Sequence, residues 1–184
     1  MKLVATGLPG ILVVEPLVHR DERGFFLEVF HSGKFAAQGL AVAFVQDNHS
    51  ASRRGTLRGL HLQTAEPQGK LVRSIEGEIF DVAVDVRVGS PEFGRWEGVT
   101  LSAANLRSLW IPPGFAHGFC VTSGRAQVEY KCTALYDPDA ELTIRWDDPE
   151  IGIEWPLAAP LLSPRDAAAP RLAEVRDRLP RFAA

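Results

Sequence analysis

Short apolar segments separated by glycine and proline recur between positions 57 and 135, roughly every eight to twelve residues. In residues 78–86 apolar and polar side chains alternate, and Glu76-Gly77 stands before them at a hairpin position. A period of two is that of a half-buried strand. Regular short strands with such turns are typical of β-sandwiches and barrels, so the sequence predicts an all-β fold.

The remaining segments extend this prediction to the whole chain. Further strands are predicted at 10–18, 25–30, 43–50, 96–101, 108–111, 118–122 and 126–135. Residues 32–40 predict a short helix that Gly39 stops, and 172–179 predict a second. From about residue 156 to 184 the chain is rich in Pro and Ala, and we expect this tail to pack over the barrel. Residues 1–184 are therefore expected to form a single domain.

Composition excludes several classes of protein. A hydrophobic content of 46% is too high for a disordered chain. No apolar run approaches the roughly 20 residues of a spanning helix. Pro9, Gly10 and Glu15 interrupt any signal peptide, so a cytoplasmic protein without membrane contact is expected. The net charge of -3, without a long run of one sign, argues against nucleic acid as a partner.

The metal-ligand content is low. Cys120 and Cys132 are too few for a disulfide scaffold, and their apolar surroundings predict buried free thiols. Pro112-x-Gly114-x-x-His117 resembles the second motif of the cupin superfamily, whose barrels often hold a metal. The first cupin motif supplies two histidines, but His61-Leu62-Gln63 has glutamine in the second position. Two imidazoles without a thiolate cluster predict that no metal is bound.

A set of proton-transfer residues occupies the predicted strands. Histidine side chains in general change charge close to physiological pH, so His61 is a candidate base. Without a metal to activate water, such a base would take a proton from a carbon next to a carbonyl. Lys70 would stabilise the resulting enolate, and Tyr130 would return a proton from the other face. His117 belongs to the same stretch of chain, and a shared barrel interior would bring the four together.

Two questions stay open at this level. A carboxylate should orient His61, and both Asp166 and Asp81 have the right type. Considered by itself, Asp166 is better explained as a helix N-cap ahead of the alanine run. The arginines that could bind a diphosphate are Arg23, Arg58, Arg73 and Arg165.

Several long motifs, in order, resemble the dTDP-4-dehydrorhamnose 3,5-epimerase family. The resemblance runs from about residue 5 to 175. The matching segments are Arg23-Gly24-Phe25-Phe26-x-Glu28, Gln46-Asp47-Asn48-His49-Ser50, Leu57-Arg58-Gly59-Leu60-His61-x-Gln63, Gln68-Gly69-Lys70-Leu71-Val72-Arg73, the segment from Trp110 to Phe119, Tyr130-Lys131-Cys132-Thr133 and the segment from Ile144 to Pro149.

The resemblance implies a cupin-type jelly roll with a few short peripheral helices, a homodimer, and neither metal nor organic cofactor. It implies inversion at C3 and C5 of dTDP-4-dehydro-6-deoxy-D-glucose. His61 would be the base, Tyr130 the acid, Lys70 the enolate stabiliser, and Asp166 the partner of His61. Substrate contacts would come from Arg23, Phe26, Glu28, Gln46, Asp47, Asn48, Arg58, Lys70, His117, Glu141 and Arg165.

Two positions depart from the family pattern, and three rival functions remain. Leu62 stands where the family commonly has Tyr or Phe, and Arg165 stands where Lys is common. Arginine keeps the charge of lysine but not its geometry.

The rival functions are an epimerase acting at C3 or C5 alone, a metal-dependent cupin (a dioxygenase or an isomerase), and a non-catalytic module that binds sugar nucleotides.

Overall fold

Two main antiparallel sheets face one another in the structure, a computed structural model that describes residues 1–182. The six-stranded sheet contains, in spatial order, β1 (Lys2–Ala5), β2 (Leu12–Glu15), β10 (Ser108–Ile111), β7 (Lys70–Glu76), β12 (Arg125–Cys132) and β5 (Gln46–Arg53). The five-stranded sheet contains β13 (Glu141–Thr143), β6 (Leu57–Gln63), β11 (Phe115–Val121), β8 (Glu78–Asp85) and β9 (Trp96–Ser102).

The remaining elements are short and peripheral. β3 (Val18–Asp21) and β4 (Gly24–Leu27) form a separate two-stranded hairpin. The helices are α1 (Ser32–Ala36), α2 (Pro164–Ala167) and a 3₁₀ helix at Leu172–Arg178. No helix within residues 1–182 has the length and apolar character to cross a bilayer. The architecture confirms the predicted all-β sandwich with a few short helices.

The main core lies between the two sheets, because inward side chains alternate with outward ones along each strand. Val72 and Val128 come from the six-stranded sheet, and Ile79, Ala83 and Phe119 come from the five-stranded sheet. All five are nearly or fully buried. Tyr130 packs against this cluster from β12, so one catalytic candidate is anchored to the core.

A second apolar cluster covers the other face of the five-stranded sheet. Val82 and Val84 of β8 belong to the same buried cluster as Leu172 and Val175 of the 3₁₀ helix. β8 is thus buried on both faces, which explains its nearly continuous apolar sequence. The predicted tail ran to residue 184, and residues 183 and 184 lie outside the described part of the chain.

Several predicted boundaries were wrong for local reasons. The strand predicted at 10–18 is two strands, β2 and β3, with Pro16 between them where a backbone N–H is missing. The strand predicted at 25–30 ends at Leu27, and the helix predicted at 32–40 ends at Ala36. β5 begins at Gln46 rather than at 43, and β1 was not predicted.

Candidate active site

A cavity of about 380 Å³ opens where β5 and β12 of one sheet face β6 and β13 of the other. We call it the His61 cavity. From the six-stranded sheet it is lined by Gln46, Asn48, Lys70 and Tyr130. Its other wall includes His61, Leu62, Gln63, Glu141 and Arg165. The structure therefore brings the predicted base, acid and lysine into one cavity.

His61 is held by a buried carboxylate. Its Nε2 lies 2.6 Å from Oδ1 of Asp166, whose residue surface is 3% exposed. Ser163 caps α2, because its Oγ accepts from the Asp166 backbone N–H at 3.1 Å. The same hydroxyl donates to Asp166 Oδ2 at 2.9 Å. The N-cap interpretation of Asp166 was wrong, since Ser163 fills that position and leaves Asp166 free to pair with His61.

This pairing fixes the chemistry of the imidazole. Burial raises the pKa of Asp166, but the hydrogen bond and charge of His61 and the Ser163 hydroxyl outweigh it, so the pKa lies below its usual value. An ionised carboxylate only accepts hydrogen bonds, so His61 donates from Nε2. The neutral ring then carries its lone pair on Nδ1, which is the atom that can take a proton.

Within positions 1–182, Lys70 and Tyr130 lie in the backbone ladders of β7 and β12, but their side chains make no hydrogen bond or ion pair to another residue. Burial lowers the pKa of Lys70, and the charges of Cys132, Glu141 and Asp81 oppose this effect. Burial also raises the pKa of Tyr130, with Cys132 adding to the shift and Arg58 opposing it. Tyr130 is therefore protonated at neutral pH and can donate a proton. Both polar groups remain available to a ligand.

His117 forms a second buried pair, with Asp81. Its Nε2 lies 2.8 Å from Asp81 Oδ1, and the residues are 6% and 0% exposed. Asp81 is thus excluded as the carboxylate that orients His61. His117 on β11 lies directly across from His61 on β6, so the two histidines occupy neighbouring positions of the same sheet.

The mouth of the His61 cavity carries a cluster that sequence reasoning found only in part. Glu141 forms an ion pair with Arg165 and accepts a hydrogen bond from Tyr136 Oη at 2.6 Å. The backbone N–H of Tyr136 donates to Gln46 Oε1 at 2.8 Å. Tyr136 was missed because a single tyrosine in a loop shows no periodic pattern. The residue is 51% exposed at the entrance, where a ligand can reach it.

A second cavity of about 330 Å³ adjoins the first and shares His61 and Arg165 with it. Arg53 and Arg58 also line it. The Nε of Arg58 donates to Ser52 Oγ at 3.2 Å, which leaves the other guanidinium nitrogens free of this contact. Three guanidinium groups around one cavity suit a phosphorylated ligand. Arg53 had not been singled out from the sequence.

Two of the candidates lie on the outer face of the six-stranded sheet. Asp47 pairs with Lys131 at 2.9 Å, and Arg73 pairs with Glu129 at 2.6 Å. All four residues line a different cavity, of about 240 Å³. The structure therefore does not bring Asp47 or Arg73 into the His61 cavity of this chain.

Three predicted contacts belong to the β3–β4 hairpin and the segment after it. The side chain of Arg23 is 85% exposed and pairs with Asp21. Phe26 is 71% exposed, and Glu28 pairs with Lys34 at 2.8 Å. Phe26 and Glu28 line a small cavity of their own. Within one chain, these residues are separate from His61.

Gln63 occupies the position where a cupin would have its second histidine, and its side chain hydrogen-bonds to the backbone of neighbouring loops. Its Nε2 donates to the carbonyls of Glu66 and Leu135, and its Oε1 accepts from the Asp137 backbone N–H at 2.9 Å. Among residues 1–182, no group of three or more His, Cys, Asp or Glu is arranged to hold a metal ion. That the protein uses no metal or cofactor stays a prediction. Cys120 and Cys132 are buried and free, as predicted.

The fold defines a jelly-roll protein of the cupin type. Residues 5–174 match the family model described as dTDP-4-dehydrorhamnose 3,5-epimerase. The chain belongs to this family of isomerases.

Curated relatives and a solved structure agree with this assignment. An epimerase of that name from Neisseria gonorrhoeae is 54% identical over 183 residues, 99% of this chain; the chain spans 56% of that relative's length. One from Shigella flexneri is 56% identical over 169 residues, covering 90% of this chain and 93% of the relative. The crystal structure of dTDP-6-deoxy-D-glucose-3,5-epimerase from Legionella pneumophila, in complex with dTDP-4-keto-L-rhamnose, has a TM-score of 0.97 and 48% identity, and covers 100% of this chain and 99% of its own.

Proposed function

We propose that the protein inverts C3 and C5 of dTDP-4-dehydro-6-deoxy-D-glucose to give dTDP-4-dehydro-L-rhamnose, in dTDP-L-rhamnose biosynthesis. The observation that carries this proposal is the placement of His61 and Tyr130 on facing sheets, with Lys70 in the same cavity. Inversion requires that a proton leave from one face of the sugar and return to the other. A base and an acid on opposite walls meet that requirement.

The reaction proceeds in two proton transfers at each carbon. His61 takes the proton from a carbon next to the C4 ketone, and the electron pair of the broken C–H bond moves into the C4 carbonyl. The Lys70 ammonium stabilises the enolate oxygen that results. Tyr130 then gives its phenolic proton to the opposite face of the carbon. Exchange with solvent restores the protonation of Tyr130 and His61 before the second carbon reacts.

Asp166 acts through His61. Its carboxylate holds the ring by the 2.6 Å hydrogen bond and stabilises the imidazolium that forms when the proton arrives. The Ser163 hydroxyl and the first turn of α2 hold Asp166 in turn. The base is therefore positioned by an element outside both main sheets.

The substrate contacts follow from the two adjoining cavities. Gln46, Asn48 and Lys70 face the His61 cavity and suit the sugar hydroxyls and ketone. Arg58 and Arg165 suit the diphosphate. Glu141 holds Arg165 at the entrance. His117 lies opposite His61 across the β6–β11 ladder and is not among the residues that line the His61 cavity, so its contact with the sugar stays a prediction.

A homodimer accounts for the contacts that one chain leaves apart. Arg23, Phe26 and Glu28 stand on or next to the exposed β3–β4 hairpin, away from the His61 cavity. In a dimer the hairpin would reach the partner's cavity, where Phe26 would cover the thymine. Asp47, on the outer face, would meet the partner as well.

Mixing inactive Arg23→Ala protein with inactive His61→Ala protein should restore up to about a quarter of the activity if subunits exchange at random. No recovery in mixtures shown to exchange subunits would contradict the shared site.

The wild-type protein tests the reaction directly. It is incubated with dTDP-4-dehydro-6-deoxy-D-glucose in heavy water, and NMR follows deuterium and configuration at each carbon. Deuterium and inversion at both C3 and C5 support the proposal. Inversion at one carbon would replace it by the mono-epimerase alternative, and no incorporation at either would contradict the chemistry.

The remaining partner assignments stay predictions. We expect a cytoplasmic enzyme that binds neither nucleic acid nor membrane. The net charge of -3 supports the first of these absences.

A further inference from the structure

The segment between β12 and β13, residues 133–140, contributes Tyr136 to the mouth of the His61 cavity, and we call it the Tyr136 loop. It is irregular, and residues 135–139 are exposed, Leu135 to 65% and Tyr136 to 51%. Burial of apolar side chains therefore does little to hold this stretch, and segments with few buried contacts open readily. The order of the loop depends on hydrogen bonds to its backbone.

Gln63 is the central anchor of the Tyr136 loop. It ends β6 and is 5% exposed. Its Nε2 donates to the carbonyls of Leu135 and Glu66 at 3.1 and 3.0 Å, and its Oε1 accepts from the backbone N–H of Asp137 at 2.9 Å. Gln63 thus binds the loop on both sides of Tyr136 and ties it to the turn between β6 and β7.

These three bonds require a carboxamide. They use two donors and one acceptor of a single side chain, and glutamine offers both kinds. A neutral imidazole has one donor and one acceptor, and an imidazolium has two donors and no acceptor. The second histidine of a metal-binding cupin could therefore not replace Gln63 in this role.

Two more glutamines that line the His61 cavity bind the same loop. Gln68 Nε2 donates to the carbonyl of Ala134 at 2.9 Å. Gln46 Oε1 accepts from the backbone N–H of Tyr136 at 2.8 Å. Four consecutive residues, 134–137, are thereby bonded to glutamine side chains. The amides of this cavity wall hold its mouth in place.

The Tyr136 loop is linked in turn to the charged groups at the mouth. Tyr136 Oη donates to Glu141 at 2.6 Å, and Glu141 forms an ion pair with Arg165. Hydrogen bonds and the loop backbone thus join Gln63 to Arg165 without interruption. Side chains that are already oriented lose less conformational freedom when a ligand binds.

We propose that Gln63 is a positioning residue of the substrate site, which fixes the Tyr136 loop and so orients Tyr136 and Arg165 at the mouth. The inference rests on the proposed function, in which Arg165 contacts the diphosphate. Gln63 acts through the loop, because its amide is already bonded to three backbone groups.

Fluorine NMR tests the first step of this inference without turnover. The chain has two tyrosines, Tyr130 and Tyr136, so fluorotyrosine labelling gives two signals, and Tyr136→Phe assigns them. Gln63→Met keeps the length of the side chain and removes its hydrogen bonds. We expect the Tyr136 signal to move towards its position in the urea-unfolded protein. The Tyr130 signal should stay, because that residue packs against the core. An unmoved Tyr136 signal in folded Gln63→Met would overturn the proposal.

Asn105→Leu is the matched control. The Asn105 amide also makes three bonds to backbone groups, at the turn after β9, the strand at the opposite edge of its sheet from β13. The variant should leave both fluorine signals and the affinity for dTDP unchanged. An equal movement of the Tyr136 signal in Asn105→Leu and Gln63→Met would mean that general loosening, not the role of Gln63, is observed.

A variant with one lost bond covers the case in which Gln63→Met does not fold. Gln68→Met removes the single donation to Ala134. It should move the Tyr136 signal in the same direction by a smaller amount, and an unmoved signal there would also overturn the proposal.

A double-mutant cycle tests the second step. Gln63→Met should weaken the binding of dTDP by about 5-fold, measured by calorimetry, and raise KM by a similar factor with kcat within about 2-fold of wild type. In a Tyr136→Ala background the loop no longer presents a ring or a link to Glu141. Gln63→Met should then change the affinity by less than about 2-fold. Full additivity of the two substitutions would contradict an action of Gln63 through Tyr136.

Turnover separates this inference from the proposed function. A wild-type enzyme that epimerises both carbons, while Gln63→Met leaves the Tyr136 signal and the dTDP affinity unchanged, would refute only the role of Gln63. A displaced Tyr136 signal with weakened dTDP binding, in a protein whose wild type exchanges no substrate proton, would refute the proposed function instead.

Discussion

Strand β8 carries two buried carboxylates, Asp85 and Asp81. Both oxygens of Asp85 have hydrogen-bond partners among residues 1–182, whereas only one oxygen of Asp81 has one. Both oxygens of Asp85 are engaged: Oδ1 accepts from the Arg87 backbone N–H and Nε at 3.0 and 2.9 Å, and Oδ2 accepts from Arg87 Nη2 and Ser90 Oγ at 2.6 and 2.7 Å. Asp81 binds His117 through Oδ1 alone. We call the surroundings of Asp85 the closed end and those of Asp81 the site end.

The closed end and the site end differ in how completely their polar side chains are paired. At the closed end the Arg87 guanidinium also stacks on Phe115 and Phe182, at 4.4 and 4.9 Å from the ring centroids, so charge and packing support each other. At the site end, within residues 1–182, the side chains of Lys70 and Tyr130 and one oxygen of Asp81 have no partner. In the proposed function, the side chains of Lys70 and Tyr130 serve the substrate, whereas the paired groups of Asp85 and Arg87 stabilise the fold.

The largest effect is expected at the site end. His61→Ala should lower kcat by on the order of 10³-fold or more, because no other group in the cavity is held by a carboxylate as a base. The fold should stay intact, with a midpoint of thermal unfolding about 2–8 °C lower because Asp166 loses a hydrogen bond, and scanning calorimetry measures this change. A variant that keeps a tenth of the wild-type kcat would show that another group removes the proton.

A change at the closed end should have the opposite signature. Asp85→Ala leaves the half-buried Arg87 cation and the buried Ser90 hydroxyl without their partner, so the free energy of unfolding should fall by about 3 kcal/mol. Urea unfolding measures this loss. The kcat per folded molecule should not change, and a loss of kcat with unchanged stability would invalidate the division into two ends.

A smaller effect is expected at the mouth of the cavity. Arg165→Ala should raise KM by about 10-fold or more, with kcat nearly unchanged, because a charge-assisted contact to the diphosphate is lost. Arg165→Lys keeps the charge but not the planar donors and should raise KM less. Steady-state kinetics distinguish the two. A decrease in kcat with constant KM would mean that Arg165 acts on the reacting carbons instead.

The smallest effect concerns acid stability. The pKa of Asp166 is lower in the folded state than in the unfolded chain, so its stabilising contribution is complete above about pH 4 and is lost as pH falls through the folded-state value. Asp166→Asn should lower the free energy of unfolding at pH 7 by about 1–2 kcal/mol. Between pH 7 and pH 3 the variant should therefore lose less stability than the wild type. Parallel urea titrations at both pH values check this.

The periodic part of the fold was predictable, and its exceptions have physical causes. Short apolar segments bounded by Gly and Pro located β8, β10 and β12. The alternation of side chains along a strand shows why one site prediction failed: Asp47 and Asn48 are neighbours on β5, so their side chains point to opposite faces. Only Asn48 lines the His61 cavity.

The long-range part of the site was not predictable from spacing. His61 and Asp166 lie 105 positions apart, and only the packing of α2 against β6 brings them together. The choice between Asp166 and Asp81 was open in the sequence because each is a carboxylate near an apolar segment. The family resemblance implied the pairing with Asp166 that the structure shows, and the pairing of Asp81 with His117 emerged only from the fold.

The central claim is that His61 and Tyr130 serve opposite faces of the sugar, and one variant tests it most directly. Tyr130→Phe is incubated with the substrate in heavy water, and NMR reads deuterium and configuration at C3 and C5. Tyr136→Phe, at the mouth, is the matched control and should still couple exchange to inversion. The account predicts that Tyr130→Phe still exchanges protons for deuterium but slows inversion by on the order of 10²-fold or more. Inversion at the wild-type rate in Tyr130→Phe would contradict it.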